Sequence, residues 1–143
     1  MNTTEQLTQV FNDNFVAYFR SHTAHINITG RNFRSDHKLL QGVYERRQAQ
    51  IDILGELLRT LGEFMPRSLA EVVADSHIDD DTVEGDADDL LLTVCDNLEH
   101  LKGCYEELMV IADEEGHKEI ANYAQDQILD LARSIWMLNS TLE

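Results

Sequence analysis

ADDLLLTVCDNLEHLKGCYEELMVIADE, residues 87–114, carries Leu91, Val94, Leu98, Leu101, Tyr105 and Leu108 at alternating steps of three and four. That spacing puts one apolar stripe along a helix packed in a bundle. Similar stripes occur on both sides of it. From about Thr4 to Ile28 the stripe is Leu7, Val10, Phe11, Phe15 and Phe19. From about Asn32 to Gly62 it is Leu40, Val43, Tyr44, Ile51, Leu54, Leu57, Leu58 and Leu61. From about His117 to Leu142 it is Ile120, Ala124, Ile128, Leu131, Ile135 and Trp136. Each pattern predicts a long amphipathic helix with that side buried.

The breakers fall between these stripes. Gly30 is expected to cap the first helix, and Gly116 separates the third from the fourth. The single proline, Pro66, lies in Met65-Pro66-Arg67 and ends the second. Ser68 is placed to cap a short helix, Leu69 to Ala74, with Glu71 closing a capping box. Asp79 to Asp89 holds seven acids in eleven residues and reads as a solvated loop leading into the third helix. Short connections make the first two helices antiparallel neighbours, and likewise the last two. The second and third are joined by about twenty residues that contain the short helix. The expectation is an all-α, ferritin-like four-helix bundle with a short helix in the long crossover, formed by residues 1–143 as one domain.

Composition narrows the class. The formal net charge is −16 over 143 residues. Such a surface repels nucleic-acid phosphates and attracts cations. Solubility, a high-salt cytoplasm and cation storage would all suit it. No run of 18 apolar residues is present, so no membrane span is expected. MNTTEQLTQVF lacks a basic start and an apolar core, which points to a cytoplasmic address rather than secretion. Cys95 and Cys104 are nine residues apart on one helix, about 13 Å, too far for a disulfide.

Candidate chemistry lies near the first turn and along the second helix. His25 is near the end of the first helix and His37 is early in the second. Asp52 and Glu56 are one turn apart and point the same way, so they can grip one cation. Imidazole with carboxylate suits iron or zinc. His37 and Asp52, however, are fifteen residues apart on one helix, about 22 Å. No single ion spans that gap within a chain. Either the two pairs are unrelated, or the His pair of one subunit meets the acid pair of another across a two-fold axis.

Together these residues resemble a known family. His25-Ile-Asn-Ile-Thr-Gly-Arg-Asn-Phe33 followed by His37 resembles H-W-N-x-x-G-x-x-F-x-x-x-H, and Asp52-Ile-Leu-Gly-Glu56 matches D-x-x-x-E. Leu61-Gly62, Pro66-Arg67-Ser68-Leu69 and Ile135-Trp136-Met137-Leu138 follow in the same order. The pattern is that of the Dps-type mini-ferritins (DNA-binding proteins from starved cells). The resemblance implies a hollow dodecamer with ferroxidase sites at two-fold interfaces, His25 and His37 from one subunit and Asp52 and Glu56 from its mate. It further implies iron(II) oxidised there, typically by hydrogen peroxide, with ferric iron stored inside and hydroxyl radical formation suppressed. Zinc is an alternative occupant.

Three departures bear on this. Ile26 stands where the family has a Trp beside the iron site. Gln41 stands where many members carry an acid, and a neutral amide weakens the second metal position. His22, three residues before His25 on the same face, is an additional candidate ligand. Two other functions remain as alternatives: a metal-binding shell with impaired oxidation, and a nucleoid-associated DNA-protecting protein. A di-iron oxygenase would need paired Glu-x-x-His motifs inside one bundle. Only Glu114…His117 has that spacing, at a helix break.

Members of the resembled family that bind DNA usually do so through Lys/Arg-rich tails. Here the first nineteen residues contain no Lys or Arg, and the last helix is expected to run almost to Glu143. The prediction is that the pure protein leaves DNA unretarded in a gel-shift at moderate salt without divalent metal; retention would contradict it.

Overall fold

A computed structural model describes residues 1–143 as five helices. They are α1 (Thr3–Asn27), α2 (Phe33–Thr60), α3 (Leu69–Asp75), α4 (Ala87–Glu114) and α5 (Lys118–Leu142). Helix α1 packs on α2, α4 on α5, and α1 on α4, while short α3 lies against α1. This is the four-helix bundle with a helix in its crossover that the apolar stripes predict. No helix is long and apolar enough to cross a membrane.

The core is built from the stripes. Leu7, Leu40, Leu54, Leu58, Leu98, Leu101, Leu108 and Leu131 are fully enclosed. Two expected core residues are instead exposed. Phe19 is 61% exposed and Trp136 is 66% exposed. The reason is helical phase. Four residues advance a helix by about 400°, so Leu7, Phe11, Phe15 and Phe19 drift about 40° per step away from the core. Burial falls along that series: Leu7 and Phe11 are enclosed, Phe15 is half-buried and Phe19 is out. Trp136 follows Ile135 by one residue, about 100° further round the helix, while Ile135 and Leu138 face inward.

The helix ends also differ in detail from the sequence expectations. Helix α1 closes at Ile28, whose N–H bonds the Ala24 carbonyl; Gly30 lies two residues beyond, at φ +122°. Glycine does cap α2 and α4. Gly62 (φ +80°) and Gly116 (φ +84°) take the left-handed conformation that side chains disfavour. Glu63 N–H to the Leu58 carbonyl and His117 N–H to the Ala112 carbonyl complete Schellman closures. Ser68 Oγ accepts from Glu71 N–H, one half of the expected capping box. The full box forms at α4 instead, where the side chains of Asp86 and Asp89 each accept from the other's backbone N–H. The acidic stretch is therefore partly structural. Asp81 is also held by Arg20, whose guanidinium donates to its carbonyl and carboxylate and to Asn97 on α4.

A polar seam crosses the interior. Arg47 is only 2% exposed. Its Nη2 donates to Asp130 Oδ2 at 2.6 Å, and its carbonyl accepts from Asn14 Nδ2 at 2.8 Å. Next to it, Tyr123 Oη donates to Gln50 and meets the buried Tyr105 hydroxyl at 3.2 Å. These bonds tie α1, α2, α4 and α5 into one register. A guanidinium fixed in the bundle interior disfavours a metal ion there. Glu114 and His117 sit outside, at the α4–α5 corner.

Cys95 and Cys104 are both buried and free. Leu98 lies in the middle of α4 and is wholly enclosed. Leu98→Ala should cost about 2–5 kcal/mol in denaturant unfolding; a loss below about 1 kcal/mol would contradict this packing.

Candidate metal centre

The turn between α1 and α2 brings His25 and His37 face to face. Their rings stack with centroids 3.8 Å apart and planes 15° off parallel. Each ring Nδ1 lies 2.7 Å from the other residue's backbone carbonyl. A carbonyl can only accept, so both Nδ1 atoms carry hydrogen and donate. That fixes the tautomer of both neutral rings and leaves each Nε2 lone pair free. The bond from His37 also satisfies the His25 carbonyl, which lies in the last turn of α1 where carbonyls lack a helical donor. The two imidazoles thus hold the corner together and present two nitrogen donors from it.

An aromatic stack supports the pair from both sides. Phe33 stacks on His37 at 4.9 Å. On the other side Tyr44 approaches His25 at 5.0 Å and lies flat on His22 at 3.9 Å, with planes only 7° apart. His22 Nδ1 is 3.0 Å from the Tyr18 hydroxyl. His22 is therefore placed and oriented by two tyrosines, with its ring centroid 6.1 Å from that of His25. Tyr44, read from the sequence as a core residue, is half-buried and forms this wall. Ile26 is exposed beside the turn.

Asp52 and Glu56 lie one turn apart on the exposed side of α2. A hydrogen bond that the protonated Glu56 carboxyl donates to Asp52, and then the charge of Asp52, push Glu56 above the usual carboxylate range. Two carboxylates this close repel each other, and a bound cation would relieve that repulsion. Between the two pairs, Gln41 Nε2 donates to Glu45 Oε1 at 2.9 Å. Glu45 was not singled out by the motif; it places a carboxylate one turn beyond Gln41.

Within one chain the structure brings together His25 with His37, and Asp52 with Glu56, but not the two pairs. Helix α2 runs unbroken from Phe33 to Thr60. His37 and Asp52 are fifteen residues apart on it, about 22 Å.

A family model of the ferritin-like domain matches residues 4–143. The DNA protection during starvation protein of Helicobacter pylori is 30% identical over 143 residues, covering 99% of each chain. This chain belongs to the Dps-type mini-ferritins. Antigen TpF1 of Treponema pallidum is 33% identical over 140 residues, covering 97% of this chain and 79% of that protein. Among solved structures, Helicobacter cinaedi CAIP superposes with a TM-score of 0.91 at 30% identity, over 99% of this mini-ferritin and all of that chain. A Dps protein from Vibrio cholerae, described as one of the ferritin-like diiron-carboxylate proteins, shares the fold with a TM-score of 0.93 at 23% identity. It covers 99% of this mini-ferritin and 89% of that chain.

A third group of ligand-type side chains, Asp13, His77 and His100, lies elsewhere on the mini-ferritin subunit. No motif pointed to it. Its members are 64 and 23 residues apart in sequence and meet only because the crossover folds back over α1.

Proposed function

We propose that this chain is a ferroxidase subunit that forms a hollow dodecamer, oxidises iron(II) at inter-subunit sites and stores ferric iron inside. His25 and His37 of one subunit would bind iron(II), with Asp52 and Glu56 supplied by a neighbour across a two-fold axis. The observation that carries the reading is the pair of cross-bonded imidazoles, whose Nε2 lone pairs are both left free for a metal. The unbroken α2 supports the division of the site between subunits. The relatives lend support from names: those of Helicobacter pylori and Brevibacillus brevis are DNA protection during starvation proteins.

Iron is the substrate and cargo. Two iron(II) ions each lose one electron, and together these reduce one hydrogen peroxide with cleavage of its O–O bond. Water completes the ferric oxyhydroxide and four protons are released. The proposed donor set is two nitrogens and up to four oxygens, which suits a borderline to hard ion and would also take zinc. The exposed carboxylates balance charge as iron becomes trivalent. His22 would add a third nitrogen donor from a ring already held by Tyr18 and Tyr44. Consuming iron(II) and peroxide together removes both reagents of hydroxyl radical chemistry, a protective role that fits a cytoplasmic protein.

A specific observation favours a second reading, a metal-binding shell that oxidises slowly. Gln41, where many members have an acid, is turned onto Glu45 and offers at most an amide oxygen. Peroxide-dependent oxidation separates the two readings. The net charge of −16 argues against direct DNA binding as the protective mechanism.

Ferric absorbance followed after adding iron(II) and peroxide tests the proposal. His25→Ala, His37→Ala and Glu56→Ala should each slow the initial rate at least about tenfold, the scale expected for disrupting a metal site. Rates equal to the parent's would remove those residues from the site. Metal bound without any peroxide-dependent oxidation in the parent would select the second reading.

A further inference from the structure

We propose that Asp13, His77 and His100 form a second, intra-subunit site for a divalent transition-metal ion of the zinc(II) or iron(II) class. One donor atom from each of the three lies within 4.8 Å of the others. They come from three different parts of the fold: α1, the segment after α3, and α4. Asp13 and His25 are twelve residues apart on α1, about 18 Å, so this group is separate from the paired histidines.

The state of Asp13 is the main argument. Its side chain is completely buried, and its two oxygens are used very differently. Oδ1 accepts from Ser76 Oγ and His77 N–H, both at 2.8 Å, and from Gln9 Nε2 at 3.2 Å. Oδ2 meets His100 Nε2 at 3.2 Å, and the Cys104 thiol lies within hydrogen-bonding reach of the carboxylate. A carboxylate anchored through one oxygen, with the other turned toward the His100 imidazole, has the organisation of a supported metal ligand. A buried carboxylate also needs a positive partner. His100 supplies it only when protonated, whereas a metal ion supplies it with both imidazoles neutral.

The histidines complete the set. The His77 and His100 rings meet edge to face, with centroids 6.1 Å apart and planes at 87°. Both are solvent-accessible, so ring rotation can bring their nitrogens inward. Donors at about 2.1 Å from a tetrahedral ion stand about 3.4 Å apart, within about 1.5 Å of the present spacing. The group borders a cleft of about 300 Å³, also lined by Glu99 and Glu107, whose charges favour cations. Cys104 lines it too. The three grouped side chains offer two nitrogens and one oxygen, with open positions for water. That set selects a borderline divalent metal over magnesium or calcium.

Cobalt(II) is a suitable probe because its visible spectrum reports nitrogen and oxygen coordination. The assembled protein carrying His37→Ala and Glu56→Ala removes the paired-histidine site from the measurement. Titrated with cobalt(II) chloride, it should bind one ion per subunit with a visible band. Adding His77→Ala and His100→Ala, both at exposed positions, should weaken that binding at least tenfold. Ligand binding to the native state raises its melting temperature, so the cobalt-dependent rise should vanish with the same two substitutions. No cobalt bound in the His37→Ala, Glu56→Ala protein would overturn the proposal and leave Asp13 as a cap for the crossover. Binding weakened less than tenfold by the histidine substitutions would also overturn it.

Discussion

A straight α-helix holds two of its residues apart as firmly as it holds others together. Helix α2 is continuous from Phe33 to Thr60 and carries His37 near one end and Asp52 toward the other. At about 1.5 Å per residue that helix keeps imidazole and carboxylate about 22 Å apart. In the proposed site each chain would supply two halves, one rich in nitrogen and one in oxygen. An antiparallel two-fold partner would align them, with two equivalent sites per dimer. On this account assembly and chemistry are one requirement, since an isolated subunit has no complete ligand set.

The corner at His25 and His37 is rigid within the single chain. The reciprocal Nδ1–H to carbonyl bonds lock both rings, fix their tautomers and close the end of α1. Phe33 and Tyr44 brace the stack. The interior is closed to metal by a different means. Arg47 and its partner Asp130 occupy the middle of the bundle, alongside the Tyr105–Tyr123–Gln50 chain. A fixed cation there disfavours metal binding inside the bundle. Di-iron enzymes that bind metal within one bundle need the opposite, inward carboxylates.

Much of this was legible in the sequence because it is periodic or local. The alternating stripe from Leu91 to Leu108 gave α4 its ends and buried face, and the run from His25 to His37 placed the first turn. Phe19 and Trp136 were misread because counting apolar residues ignores phase: a step of four drifts, and a residue next to a core position is already 100° away. The Asp86–Asp89 box lay in a run of acids, where any of several could have capped the helix. Tyr44 as the wall behind His22 depends on how α1 and α2 cross, which spacing does not determine. Asp13, His77 and His100 were invisible for a stronger reason. They belong to three elements, and only tertiary folding brings them within 4.8 Å.

The central claim is that the iron site is divided between two subunits, and mixing inactive subunits tests it directly. In a dimer of one His37→Ala and one Glu56→Ala chain, one of the two sites has intact histidines and intact acids, while the other has lost both. If the two chains assemble at random in equal amounts, half the dimers are mixed and about a quarter of all sites are native. The co-assembled shell should then oxidise iron(II) at about a quarter of the parent rate, although each variant alone is nearly inactive. A mixed shell no faster than the two variants measured separately would contradict the divided site.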